Sequence, residues 1–184
     1  MRSWLPAVLV AVALALVAPV AADQSDSHLD WLFARLKATE NQSEAKAIEA
    51  AIWNIWNHAG DPELDRQMRD GLEAMERGEA QAALDIFERM VVTAPAFAEA
   101  WNKRATMYYF MNRYPESIRD VERTLALEPR HFGAIVGLGQ MLLESGREQE
   151  ALVEFEKALA IDPHLTIVRM KVDELRRHYP DRPI

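Results

Sequence analysis

Cysteine is absent from the 184 residues. That excludes disulfides, thiolate metal ligands, a cysteine nucleophile and a lipid-modified N-terminal cysteine. Basic residues are outnumbered, 21 Lys and Arg against 29 Asp and Glu, for a formal net charge of -8. No segment forms the basic stripe needed to displace counterions from phosphate, so nucleic acid is not the expected partner. His-Glu-x-x-His, Gly-x-Ser-x-Gly and phosphate-binding glycine loops are missing, and the five histidines do not cluster. The expectation is therefore a non-enzyme with no cofactor and no metal.

Long hydrophobic runs are also lacking, with one exception. Met1-Arg2 gives a positive start, Leu5 to Val20 is apolar apart from Pro6 and Pro19, and Val20-Ala21-Ala22 supplies small residues before Asp23. This is the layout of a secretory signal peptide. Its 16-residue apolar run falls short of the roughly 20 that cross a bilayer as a helix. Residues 1–22 are thus expected to be removed on export to the periplasm, with no membrane insertion afterwards. An uncleaved anchor in the inner membrane is the alternative.

What the chain does contain is a period. Pro95, Pro129 and Pro163 are spaced by 34 residues. On the same spacing Gly71, Ala105 and Gly139 are small, as are Ala83, Ser117 and Ala151, while Phe87, Val121 and Phe155 are apolar. Gly78, Asn112 and Gly146 are residues that tolerate the left-handed backbone of a tight turn after a helix. Each period predicts two helices around that turn, with the small residues allowing close approach. One hairpin cannot bury its apolar faces, but a stack of them can.

The period and the stretch from Leu138 to Pro163 resemble the tetratricopeptide repeat. The third unit carries Leu138, Gly139, Ala151, Phe155, Ala158 and Pro163, departing at Ile135 and Leu142, where the motif prefers Trp and Tyr. The second keeps Trp101, Ala105, Tyr108 and Pro129 but has Arg104, Ser117 and Thr124 in other slots; the first keeps Gly71, Ala83, Phe87 and Pro95. The resemblance implies an all-α, right-handed superhelix of helix-turn-helix hairpins with helical caps at both ends. Its expected divisions are 23–63 (N-terminal cap or degenerate repeat), 64–97, 98–131 and 132–165 (repeats), and 166–184 (C-terminal cap and tail). Trp53 falls in register with Phe87.

Arg104 interrupts the apolar stripe of its helix. It lies eight residues before Asn112, and Asp120 lies eight after it. In an antiparallel pair folded at Asn112 the two side chains come opposite each other, so an inter-helix ion pair is expected, with ligand contact as the alternative.

The resemblance further implies that the first helix of each hairpin lines a concave peptide groove. The positions so assigned are Met68, Leu72 and Met75; Glu99, Asn102, Lys103, Thr106, Tyr109 and Phe110; and Val136, Gln140 and Leu143. Tyr109 and Phe110 are the expected anchors. Family members that grip a chaperone's C-terminal carboxylate use Lys, Asn and Arg at set positions; Met68, Leu72, Gly133 and Gly137 stand there, so that capture is not expected. Gly133 and Gly137 are instead expected to make room for Tyr109 and Phe110, or for a bound chain. The implied function is an envelope adaptor binding a protein or peptide segment. The alternative is a scaffold that self-associates, as a homodimer, through Trp31, Trp53 and Trp56.

Overall fold

The computed structural model describes residues 27–179, and the expected signal segment lies outside them. The described residues form helices α1 (Ser27–Ala38), α2 (Gln42–Trp56), α3 (Pro62–Glu76), α4 (Ala80–Thr93), α5 (Ala98–Phe110), α6 (Tyr114–Leu127), α7 (Phe132–Glu144), α8 (Glu148–Ile161) and α9 (Thr166–His178), with no strand among them. None of these helices is long and apolar enough to cross a membrane.

The hairpins α3–α4, α5–α6 and α7–α8 turn in one way. Gly78, Asn112 and Gly146 have φ of 74°, 58° and 73°. At each turn the next amide reaches back to a carbonyl five residues earlier: Glu79 to Ala74, Arg113 to Tyr108 and Arg147 to Leu142, at 2.8–2.9 Å. These bonds satisfy carbonyls that the helix end would otherwise leave free. Asp61 starts α3 by accepting from the Glu63 and Leu64 amides, with Pro62 just inside the helix.

Within each hairpin, size is traded across the interface. A Cβ on Gly71 would stand 2.6 Å from Phe87, and one on Gly139 would stand 2.6 Å from Phe155. The middle hairpin carries Ala105 and Val121 instead, both in one buried cluster. Ser117 Oγ there donates to the Ala105 carbonyl at 2.7 Å, so the hydroxyl is buried without penalty.

Arg104 forms the expected pair. Its Nε and Nη2 donate to Asp120 Oδ2 and Oδ1 at 2.7 and 2.8 Å. Trp101 and Tyr108 flank the guanidinium, with ring centroids 4.9 and 5.6 Å away. The stripe-breaking cation is a cross-link between α5 and α6.

The first two helices depart from a simple end cap. α1 and α2 form a hairpin whose core (Leu29, Leu32, Phe33, Leu36, Ala45, Ile48, Ile52 and Trp56) also takes in Phe132, with Ile161 and Leu165 packed against it. The cluster around α3 and α4 contains no residue of α1 or α2. The hairpin thus folds back along the N-terminal ends of α7 and α9 instead of stacking ahead of α3. Arg130 Nη1 donates to Asp30 Oδ1 at 2.6 Å, and His164 Nε2 lies 3.1 Å from the Leu36 carbonyl. Trp53 therefore does not take the role that Phe87 and Phe155 play. A Cβ on Gly133 would meet its ring at 2.6 Å.

Candidate functional site

The inner helices α5, α7 and α9 run side by side, and α2 covers the beginning of this surface. Trp56 is 1% exposed. It stacks on the His131 ring, centroids 4.1 Å apart and planes 11° from parallel. Trp53 packs edge-on against His131 and Phe132, and Lys103 Nζ lies 5.3 Å from its ring centroid.

Beneath the two tryptophans is a buried polar group. Glu99 is fully buried. Its Oε2 lies 2.7 Å from His131 Nε2 and accepts from Asn102 Nδ2 at 3.1 Å. Lys103 Nζ is 2.8 Å from Oε1. Burial would raise the carboxyl, but the Lys103 charge and the His131 hydrogen bond outweigh it and hold Glu99 at about 2. His131 Nδ1 accepts from the Ala134 amide, capping α7, which leaves Nε2 to carry the ring proton toward Glu99.

Past the hairpin the surface stays open. A cleft of about 390 Å³ lies between α5, α7 and α9, in the size range of small-ligand pockets. Asn102, Thr106, Tyr109, Phe110, Val136 and Gln140 line it, together with Gly133, Gly137, Ile167 and Lys171, and Ala105, Ser117, Val121, Ala134 and Met141 back it. Phe110 and Ile167 are 64% and 72% exposed on its rim. A Cβ on Gly137 would meet nothing within 4 Å. One end is polar: Glu144 accepts from Tyr109, Tyr114 and Gln140. Those bonds lower the Glu144 carboxyl, and the bond from Tyr109, with burial, pushes the Tyr109 phenol up to about 12. Lys171 Nζ donates to Gln140 Oε1 at 3.0 Å.

Several positions assigned from the groove pattern lie elsewhere. Met68 is 1% exposed within the α3–α4 core, and Leu72 and Met75 pack against that same cluster. Met68 is enclosed by its own hydrophobic neighbours, among them Ala59 of the preceding linker, while Leu72 and Met75 stay half-buried at the edge of that cluster. Leu143 packs against the α8–α9 cluster. Glu99 and Lys103 sit under the hairpin, spent on each other. The room at Gly133 is taken by Trp53, not by Tyr109 or Phe110, and Gly137 has no neighbour there. In the other direction, Ile167 and Lys171 line the cleft although α9 was expected only as a cap. The signal was present. They stand 34 residues after Gly133 and Gly137, so α9 continues the register of the inner helices.

Gly137 and Gly139, two residues apart on α7, should respond oppositely to alanine. Gly137→Ala should stabilise the protein by about 1 kcal/mol, the helix-propensity gain with no steric cost. Gly139→Ala drives a Cβ into Phe155 and should destabilise by about 1–3 kcal/mol. Urea unfolding of the two variants would show this, and a shift of equal sign would contradict the geometry.

A tetratricopeptide-repeat family profile matches residues 102–165. A TPR repeat-containing protein of Rhizobium etli is 36% identical over 143 residues, covering 78% of this chain and 70% of the relative. The Sgt2 TPR domain from Aspergillus fumigatus superposes with a TM-score of 0.59 at 21% identity, over 67% of this chain and 87% of that one. The second TPR domain of human RPAP3, determined in complex with an HSP70 peptide, superposes with a TM-score of 0.55 at 20% identity, over 60% of this chain and 92% of that one. With its hairpins, turn geometry and small-residue contacts in place, the chain belongs to the tetratricopeptide-repeat family.

Proposed function

We propose that this protein–protein interaction module is a non-catalytic adaptor of the bacterial cell envelope, exported by its N-terminal segment. In this reading it binds a peptide or protein segment by seating an apolar side chain in the cleft between α5, α7 and α9. The observation that carries it is the open apolar cleft, with Phe110 and Ile167 exposed on the rim and bare space over Gly137. Exposed large apolar side chains around a concavity mark an interaction surface, and aromatics such as Tyr109 and Phe110 concentrate binding energy. The HSP70 peptide on the RPAP3 domain supports a peptide as the class of ligand. Self-association is a second reading, supported by Trp31, 63% exposed on α1; light scattering of the parent beside Trp31→Glu addresses it.

Peptides selected from a random display library against the protein supply the probe. Gly137→Leu extends a side chain into the cleft from a position with no steric neighbour, so the fold is kept while the cleft is filled. Titration calorimetry should show at least a tenfold loss of affinity in Gly137→Leu and in Phe110→Ala. Unchanged affinity in both would place the binding elsewhere. Osmotic-shock fractionation of cells making the tagged full chain addresses its location.

A further inference from the structure

We propose that the surface beneath α1–α2 is the second half of the binding groove, and that its partner is a helix presenting two aromatic side chains one turn apart, which displaces α2. This rests on the groove reading above and adds the identity of the occupant.

The seat is shaped for such a helix, because α2 shows how one fits. Gly133 leaves the hole that Trp53 fills. His131 offers a flat ring on which Trp56 stacks at 4.1 Å. Lys103 presents its ammonium to the Trp53 face. The two tryptophans are three residues apart, on one helical face. The seat is also continuous with the open cleft: Gly133 lines the cleft and contacts Trp53. Gly137 follows one turn later on the same helix. A partner helix anchored over Gly137 and extended toward the start of α7 reaches the place α2 now holds.

The hairpin does not satisfy this seat fully. Among the described residues, Trp56 Nε1, Asn57 Oδ1 and Asp162 Oδ2 are buried without a hydrogen bond. All three lie in or beside the seam between hairpin and solenoid. Glu49 of α2 and Asp162 are carboxyls brought near each other across that seam, and burial raises both. Buried polar atoms left unpaired count against the docked state, so a better-paired helix has free energy to gain by replacing α2. The chain permits the exchange. Ala59 is anchored in the α3–α4 core and its amide bonds Asp65 Oδ1 at 2.6 Å. His58 Nδ1 also lies 2.9 Å from Asp65 Oδ2, so the hairpin can leave by rotation at Asn57 without unravelling α3.

The probe is a fluorescein-labelled peptide of the α2 sequence, residues 42–56, read by anisotropy against the full chain. In the parent it competes with a tethered copy of itself at an effective concentration of order millimolar. It should therefore bind Trp53→Ala/Trp56→Ala at least tenfold more tightly than the parent. Adding Gly133→Leu to that background fills the hole and should remove at least tenfold of the affinity. With nitroxides on Ala47→Cys and Ala126→Cys, unique in a cysteine-free chain, saturating peptide should lengthen the distance between α2 and α6. Three results would overturn the proposal: no binding to the double variant, equal affinity for it and the parent, or indifference to Gly133→Leu. A bound peptide with an unchanged α2–α6 distance would do the same. A dimer of the parent abolished by Gly133→Leu would assign the seat to a second copy of the chain and overturn the partner helix. Loss of library-peptide binding in Gly137→Leu reads the open cleft alone, so the two ideas fail separately.

Discussion

Asp120→Ala should lower the unfolding free energy by about 3 kcal/mol, the low end for breaking a buried ion pair. Arg104 and Asp120 are 17% and 6% exposed at their side chains and are joined by two hydrogen bonds of 2.7 and 2.8 Å. Removing the carboxylate leaves a guanidinium held between α5 and α6 with the Trp101 and Tyr108 rings beside it and the more distant Glu88 charge. Those rings and the remaining solvent contact keep the loss from being larger. The control is Arg104→Leu/Asp120→Ala. Leu138 occupies the slot equivalent to Arg104 one unit later and packs against the buried clusters there, so an apolar side chain suits this junction. The double variant should recover to within about 1 kcal/mol of the parent, since apolar replacement of a buried pair is often close to neutral. Urea denaturation with an unchanged slope is the measurement. A loss under about 0.5 kcal/mol in Asp120→Ala, the size seen at ordinary surface sites, would mean that the pair carries no structural load.

The second large effect is a loss of stability in acid that belongs to one residue. Glu99 is held at about 2 in the folded chain, against an ordinary 4.5. Its folded value is depressed, so its contribution is fully present above about 4.5 and is lost as pH falls toward 2. The difference corresponds to about 3 kcal/mol by linkage. Glu49 and Asp162 have the opposite sign: burial raises both, so their penalty exists at neutral pH and is relieved on acidification. Exposed acids such as Glu63 and Glu150 share the sign of Glu99, but solvent screens their pairs. The stability of the parent minus that of Glu99→Gln should therefore shrink by about 3 kcal/mol between pH 7 and pH 2. A difference that does not change with pH would show that the Glu99 carboxylate is not what holds α5 to α7.

Much of the solenoid was legible because its determinants are local and repeat. Gly78, Asn112 and Gly146 recur at one spacing and make one turn. Gly71 and Gly139 announce the close helix contacts that Phe87 and Phe155 fill. Even the Arg104–Asp120 pair follows from counting outward from Asn112, since the turn fixes which residues face each other. The same counting carried one unit further reaches Ile167 and Lys171, so α9's share in the cleft was also within reach. Thr106, Tyr109, Phe110, Val136 and Gln140 do line an open surface, because the repeat sets which helix face points inward.

The sequence alone determined the units, their turns and the inward face, because each depends on residues within one period of one another. Only the tertiary structure decided which part of that face is open. The covering hairpin acts over long separations: Asp30 bonds Arg130 and Leu36 meets His164, 100 and 128 positions apart. No periodic pattern encodes such contacts. Trp53 in Gly133's hole and Trp56 on His131 are matches of shape between surfaces that become neighbours only after the repeats have stacked. That docking covers Glu99 and Lys103 and leaves the space over Gly137 open.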